Sequence, residues 1–439
     1  MAPTQGLLFP EDRAAEAGSP AGRLAAELRS FLCDGRATTV DVCRGAEGAA
    51  EVPLLRNQFW TARQRDAHPL HEVSYRACFK PALPRFFVER LTAPGEVVHD
   101  PFLGRGTTAL EAALLGRVPS GCDVNPLSLV LTAPRLDPPE LDAIAARLDG
   151  LDLSCADALD DDLLAFFHPD TLRQILALRS QLLAREADGR LDAVDRWIRM
   201  VAVNRLTGHS SGFLSVYTMP PNQAVTAAAQ RKINAKRGQV PEPRDLRAVI
   251  LRKSRQLLAE VDAAVRARLA EARTAARLVC SDSASTPQIP DASVALVVTS
   301  PPFLDVVQYR SDNWMRCWFC GIDPNGVSVA ELSRLDDWKQ LMTAVLREQH
   351  RILRPGGHVA FEVGEVRGGK VRLEEHVLDC ALAAGLEACF VVVQDHAFTK
   401  TANCWGIENN RRGTNTNRVV VLRRAGTSGD RKRRRQPRP

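Results

Sequence analysis

The sequence lacks an apolar run long enough to cross a bilayer, since a spanning helix needs about 20 such residues. Its opening stretch, Met1 to Pro20, lacks the basic-then-apolar order of a secretory leader. Together these absences set the expectation of a cytoplasmic chain with no membrane partner. Paired metal-binding motifs are missing too. Cys317-Trp318-Phe319-Cys320 is the one CxxC among 11 scattered cysteines, with no second CxxC and no His pair nearby. That argues against a structural zinc site. Small buried thiols in a reducing compartment, and no bound metal, are expected instead.

What is present is ordinary for a soluble globular protein: 439 residues, 45% hydrophobic and 25% charged, enough for a large core or for two domains. The net charge of +6 is a mild pull toward a polyanion. Part of it sits in Arg431-Lys432-Arg433-Arg434-Arg435, which follows Gly426-Thr427-Ser428-Gly429 and has no apolar periodicity. That end is expected to be disordered, either as a solubilising tail or as a tether to phosphates.

Strand candidates and helices alternate on both flanks of the chain. Val97-Val98-His99-Asp100 runs straight into Asp100-Pro101-Phe102-Leu103-Gly104-Arg105-Gly106-Thr107-Thr108, and a helix carrying Ala109, Leu110, Ala112, Ala113, Leu114 and Leu115 opens there. Small residues let such a turn approach a ligand, and the free N–H groups of the helix start favour its electronegative atoms. A second strand, Ser120 to Val124, brings an acid, Asp123, about twenty residues after the Gly-rich turn, where ribose hydroxyls would be met. Arg277-Leu278-Val279-Cys280, Ala295 to Val298, His358 to Val363, Phe390 to Val393 and Arg418 to Leu422 complete seven strands. The last two have no obvious helix between them, so an antiparallel edge is expected. A doubly wound α/β sheet follows.

From about Leu136 to Ala276 the rhythm is interrupted. Leu163 to Leu183, Val194 to Leu206 and Leu246 to Ala276 carry helical spacing, and Arg231, Lys232, Lys236, Arg237, Arg244, Arg247, Arg252 and Lys253 cluster in one segment. An inserted helical subdomain is expected, acting in substrate recognition or as a solvated cap.

Thr299-Ser300-Pro301-Pro302-Phe303 closes the Ala295 to Val298 strand. Two prolines cannot continue the hydrogen-bonded ladder, and each holds the residue before it extended. A rigid lip results at the carboxyl end of a strand, offering a hydroxyl, carbonyls and an aromatic ring. A planar ring with an exocyclic amine suits it.

On these residues the chain resembles the S-adenosylmethionine-dependent DNA amino-methyltransferases rather than a dehydrogenase-like nucleotide binder. Asp100 to Thr108 is similar to their cofactor motif, Phe79-Lys80-Pro81, expected on a helix upstream, to the segment beside the methionine end of the cofactor, Asp123-Val124-Asn125-Pro126 to the acid that holds the ribose, and Ser281-Asp282 to the acid that reaches the adenine amine. Thr299 to Phe303 resembles their catalytic motif. The resemblance spans roughly 71–136 and 278–424. It departs from the family at Ser281, where Gly is usual, and in the placement of the insertion ahead of Asp282. It implies a doubly wound, seven-stranded Rossmann-like methyltransferase sheet with a helical insertion. The parts are an N-terminal extension (1–60), two methyltransferase segments (61–136 and 277–424), the insertion (137–276) and the basic tail (425–439).

The resemblance implies S-adenosylmethionine as cofactor, held by Lys80, Asp100, Pro101, Phe102, Gly104, Gly106, Thr107, Thr108, Asp123, Asn125 and Asp282. Catalysis would fall to Ser300, Pro301, Pro302 and Phe303. Acceptors on the hydrogens of an exocyclic amine draw its lone pair out of the ring, and Ser300 Oγ and the Pro301 carbonyl are the candidates. Phe303 would stack on the base, which must be flipped from double-stranded DNA to reach the site. Asp305, Gln308, Tyr309, Asp312 and Trp314 would line the base or strand channel, or form helix surface and core; Lys400, Asn403, Trp405 and Asn410 would form a nucleic-acid-facing loop or an ordinary surface loop. Ser rather than Asp at the first motif position favours cytosine N4. The alternatives are adenine N6, an RNA base amine, and a non-catalytic DNA-binding module on the same scaffold. A restriction endonuclease counterpart is left open.

Overall fold

The computed structural model describes residues 18–60, 67–75, 78–154, 158–218, 224–302, 304, 309–323, 326–327, 332–366, 371–395 and 416–426. A helix α1 (Pro20–Arg29) is followed by a small hairpin and two longer strands, β1 (Thr39–Arg44) and β2 (Glu51–Asn57). Next come α2 (Ala82–Leu91), β3 (Val97–Asp100), α3 (Thr107–Leu114) and β4 (Val118–Asp123). The insertion carries α4 (Leu141–Asp149), α5 (Pro169–Ala187), α6 (Ala193–Arg205), α7 (Ala227–Arg237), α8 (Leu246–Leu257) and α9 (Ala263–Ala275). The chain then returns through β5 (Arg277–Cys280), β6 (Val294–Thr299), α10 (Leu335–Ile352), β7 (Leu353–Val363), α11 (Leu373–Ala383), β8 (Glu387–Asp395) and β9 (Thr416–Arg423).

One sheet of nine strands, in the order β1-β2-β8-β9-β7-β6-β3-β4-β5, forms the centre. All seven strands expected from the sequence are in it. The two extra strands come from the N-terminal extension, where β2 pairs parallel to β8 and β1 closes the edge antiparallel. The extension lacked an apolar run as clear as Val391-Val392-Val393, which is why it reads poorly. The final hairpin is antiparallel as expected, with β9 between β8 and β7. β6 sits next to the middle because every one of its residues is buried. Burying a Val or Leu side chain stabilises by about 1.5–3 kcal/mol over leaving it exposed, so such a strand cannot serve as an edge.

Alternation along the strands divides the core into two faces. Val297, Val359, Phe361, Val391 and Val393 pack with Trp338, Met342 and Leu346 of α10 and with α11. Leu296, Val298, Ala360, Val392 and Val419 face α1 and α2. A third core lies within the insertion around Trp197, and includes Leu110 and Leu114 of α3 together with Leu70 and Val73. The insertion therefore grows on the outer side of α3.

Three boundaries differ from expectation. The Leu163 to Leu183 pattern is broken at Pro169, where His168 caps a new helix. The Leu246 to Ala276 pattern is two helices, because Asp262 accepts from Val265 N at 2.8 Å and starts α9 afresh. Phe79-Lys80-Pro81 lies just ahead of a helix rather than on one, with Pro81 at the N-cap of α2.

Candidate active site

The carboxyl ends of β3, β4, β5, β6 and β7 and the amino end of β9 share one edge of the sheet. Each end brings one chemically active group there. The turn after β3 is held by its own backbone. Leu103 N donates to Cys122 O at 2.9 Å, Gly106 N to Leu103 O at 2.6 Å, and Gly104 N to Asp123 Oδ2 at 2.8 Å. Gly104 (φ 51°) and Gly106 (φ 72°) both adopt the left-handed conformation, and a Cβ at Gly106 would collide with Thr132. Only glycine fits there without strain.

Asp100 is fully buried and accepts from Thr299 Oγ1 at 2.6 Å and from Phe102 N at 3.1 Å. Burial outweighs these donors and raises its pKa to about 6. Asp123 accepts from Gly104 N and, at 2.9 Å, from Asn125 N, and burial raises its pKa too. Asp282 Oδ1 accepts from Ala284 N at 2.8 Å.

A pocket gathers these ends. Asp100, Pro101, Phe102, Gly104, Thr107, Asp123, Asn125, Asp282, Ser300 and Pro302 line it. Lys80, Gly106, Thr108 and Pro301 do not. Burial lowers the Lys80 pKa, Gly106 shapes the turn, and Thr108 Oγ1 donates to Val298 O at 3.0 Å. Phe303, Asp305, Gln308, Lys400, Asn403, Trp405, Asn410 and the basic tail lie outside the described residues. Tyr75, Cys78, Val124, Ser283 and Leu341 also line the pocket, and sequence reasoning missed them. Tyr75 and Cys78 flank the Phe79-Lys80 signal and could have been found by extending it. The donor set suits S-adenosylmethionine. Apolar walls of Phe79, Phe102, Leu103 and Val124 fit a planar ring, and the Asp123 and Asp282 carboxylates fit hydroxyls and an amine.

Arg105 braces the pocket from behind. Its guanidinium donates to Thr107 Oγ1 at 3.0 Å, Val73 O at 3.0 Å and Phe79 O at 3.3 Å, tying the Val73 to Phe79 wall to the Gly-rich turn. Arg135, with no exposed surface, bonds the Arg105 carbonyl in turn. The neighbouring His99 is buried, and burial lowers its pKa to about 3. Its Nδ1 lies 2.9 Å from Ser120 Oγ. Cys317 and Cys320 are also buried, and burial pushes the Cys320 thiol up to about 12.

The lip has a partner that no local motif announces. Glu362, on β7 and 4% exposed, accepts from Asn417 Nδ2 at 2.8 Å at the start of β9, and the Ser300 hydroxyl beside it partly offsets its burial. Burial raises its pKa. Trp338 Nε1 donates to Pro302 O at 3.1 Å, fixing the second proline from the α10 side. A Ser300 proton turned toward Glu362 would leave the Oγ lone pairs for another donor.

Five parallel strands, an antiparallel final hairpin and a Gly-rich turn under a ligand pocket define a Rossmann-like methyltransferase domain. Within that class, residues 52–129 match the family model described as DNA methylase. The resemblance to the S-adenosylmethionine-dependent DNA amino-methyltransferases holds on that match. The type II methyltransferase M.MjaII of Methanocaldococcus jannaschii is 30% identical over 74 residues, 17% of this chain. The aligned part spans 14% of that relative's length. Among solved structures, TrmN from Thermus thermophilus (16% identity, 80% of this chain, 50% of that one) has a TM-score of 0.30. The rRNA methyltransferase AviRa from Streptomyces viridochromogenes (14% identity, 81% and 90%) has one of 0.32. The fold assignment rests on strand order. Among the described residues no helix is long and apolar enough to cross a membrane.

Proposed function

We propose that this chain methylates the exocyclic N4 amine of cytosine in DNA, after the base has been flipped into the pocket. The observation that carries the reading is Ser300 placed beside the buried Glu362, one step beyond the Thr299–Phe361 strand pair, at the rim of a pocket lined by Asp100, Asp123 and Asp282. An exocyclic amine is a weak nucleophile because its lone pair is shared with the ring. Ser300 Oγ would accept one of its hydrogens, and the Pro301 carbonyl, outside the lining but between two residues of it, the other, which favours tetrahedral geometry at nitrogen as charge develops. Glu362 would orient the hydroxyl for that task and could receive a proton after transfer. S-adenosylmethionine, when bound, supplies the electrophilic methyl group. Asp123 would hold its ribose and Asp282 its adenine amine, and the buried Asp100 and Asp123 carboxylates favour a cationic sulfur nearby. Phe303 would stack on the base. The insertion, 137–276, would recognise the target and the tail, 425–439, would tether phosphates.

Incubation of the protein and labelled cofactor with duplex DNA, followed by digestion to nucleosides, tests the reading. N4-methylcytosine is expected. N6-methyladenine would overturn the choice of base, and label in RNA alone would overturn the choice of nucleic acid. Ser300→Ala should lower kcat by about 10²–10³-fold, the usual cost of one such acceptor or donor. It should leave S-adenosylhomocysteine binding within about twofold, since Ser300 is assigned to the base and not to the cofactor.

A further inference from the structure

A group of cations, three from the insertion and one from the segment after β6, lies next to the Tyr75 wall of the pocket. Arg205 ends α6, Arg252 and Lys253 lie on α8, and Arg316 lies on the short helix Trp314–Phe319. Two acids face them. Glu72 accepts from Lys253 Nζ at 3.1 Å and from Gln256 Nε2 at 2.6 Å, and Asp312 acts on Arg316. Burial, together with Arg316 and Arg252, holds the Arg205 pKa down at about 10 in spite of Glu72. Other arginines of the insertion are matched differently. Arg231 pairs with Asp162 at 2.8 Å, Arg244 with Glu242 at 2.9 Å and Arg266 with Glu140 at 2.9 Å. Among the described residues Arg205 and Arg252 form no ion pair.

Instead these two bracket a loop tip. The Arg205 guanidinium lies 4.1 Å from the Phe213 ring centroid and its Nε donates to Asn204 O at 2.9 Å. Arg252 Nη2 donates to Ser211 O at 3.0 Å. Between them His209, Ser210 and Ser211 are exposed. A guanidinium stacked on a ring keeps its in-plane N–H groups for an anion, and hydroxyls beside it add donors. The loop is also fixed to the pocket. Asn204 Oδ1 accepts from Ser74 N at 3.0 Å, and the next residue, Tyr75, is a pocket wall lying within the field of Arg316.

We propose that Arg205, Arg252 and the His209–Gly212 tip hold a backbone phosphodiester of the DNA strand whose base enters the pocket. The site would set the strand's register without reading sequence. The inference rests on the DNA reading of the pocket, and two separate measurements keep the two apart. S-adenosylhomocysteine binding by calorimetry reports on the pocket. Anisotropy of a random-sequence duplex oligonucleotide across a salt series reports on the phosphate site. Arg205→Gln and Arg252→Gln should each reduce the slope of log K against log salt by about 1, with homocysteine-analogue binding unchanged. Arg252→Lys should restore the slope. Arg231→Gln, whose charge already faces Asp162, should leave it at the wild-type value. Unchanged slopes in both Gln variants would overturn the site, as would a wild-type protein that ignores the duplex and binds single-stranded RNA. Should Arg205→Gln lose calorimetric binding through misfolding, the exposed Arg252 decides alone. A wild type that binds the duplex but not the homocysteine analogue strikes the pocket reading and leaves the slope test standing.

Discussion

Two buried carboxylates stand behind the pocket, and they are built differently. Asp100 is held by the Thr299 side chain and by Phe102 N, so it joins the end of β3, the Gly-rich turn and the end of β6. Glu362 touches side chains only, Ser300 and Asn417, from the two strands that flank β7. Burial raises both pKa values. The first arrangement fixes backbone and so fixes a cavity. The second sets one carboxylate beside one hydroxyl, the pair proposed to act on the base. The cofactor half of the site should therefore fail by losing its shape, and the base half by losing rate with its shape intact.

The sharpest way to break that contrast is Glu362→Gln. The amide keeps the size of the side chain but presents one acceptor oxygen where the carboxylate had two. Asn417 and Ser300 then compete for it. A fall in kcat of about 10–10²-fold is expected, with KM for the cofactor unchanged, because general-base or orienting groups contribute on this scale. The sign of the pH dependence follows from the raised pKa. Glu362 works as an acceptor when ionised, so wild-type kcat should fall as pH drops through its elevated pKa, and the variant's profile should lose that acid limb. A variant with wild-type kcat, or with the limb retained, would remove Glu362 from the chemistry.

A smaller effect is expected from Gly106→Ala on the cofactor side. Gly106 has φ 72° and its Cβ would run into Thr132, beneath the turn that donates Gly104 N to Asp123. Strain of this kind costs about 1–3 kcal/mol, enough to weaken S-adenosylhomocysteine binding by about tenfold or more while duplex binding persists. Equal losses in both ligands would mean that the two halves are not separable.

The same contrast explains what could be read in the chain. Asp100 to Thr108, Asp123, Asp282 and Ser300 each sit within a few residues of a strand end, so local patterning exposed them. Glu362 lies within Ala360-Phe361-Glu362-Val363, where it looks like the exposed residue of a strand. Its role depends on register: Phe361 pairs with Thr299, and Val419 with Glu362. Those pairings are not local in sequence. The N-terminal strands were missed for a related reason. Thr39 to Arg44 is largely exposed as an edge, and Glu51 to Asn57 interrupts its apolar run with Pro53 and Arg56. The insertion's helices were visible but their ends were not, because Pro169 and Asp262 act through capping geometry rather than hydrophobic period.

The gentlest test concerns stability against pH. The Asp100 carboxyl has a pKa near 6 when folded, against an ordinary value of 3.8. Between these values the folded chain keeps a proton that the unfolded chain has shed. Stability should therefore decline as pH rises through this window and level off above it, by about 3 kcal/mol if Asp100 acted alone. Asp123, Glu362 and Glu374 are raised by burial and push the same way. Glu348 opposes them at lower pH. Arg351 and Thr286 overcome its burial and hold it at about 2, so its contribution is gained as pH rises toward 4.5, its ordinary value. Urea midpoints of the ligand-free protein from about pH 4.5 to 7.5 would trace the decline. Asp100→Asn should flatten much of it, because the amide carries no proton to lose, while its oxygen can still accept from Thr299 or Phe102. Glu362→Gln should flatten less if its raised pKa lies outside this window, and should leave the Asp100 segment of the curve in place. A curve that Asp100→Asn does not change would mean that this carboxyl titrates no differently folded than unfolded, and the cofactor half would lose the rigid anchor that sets it apart.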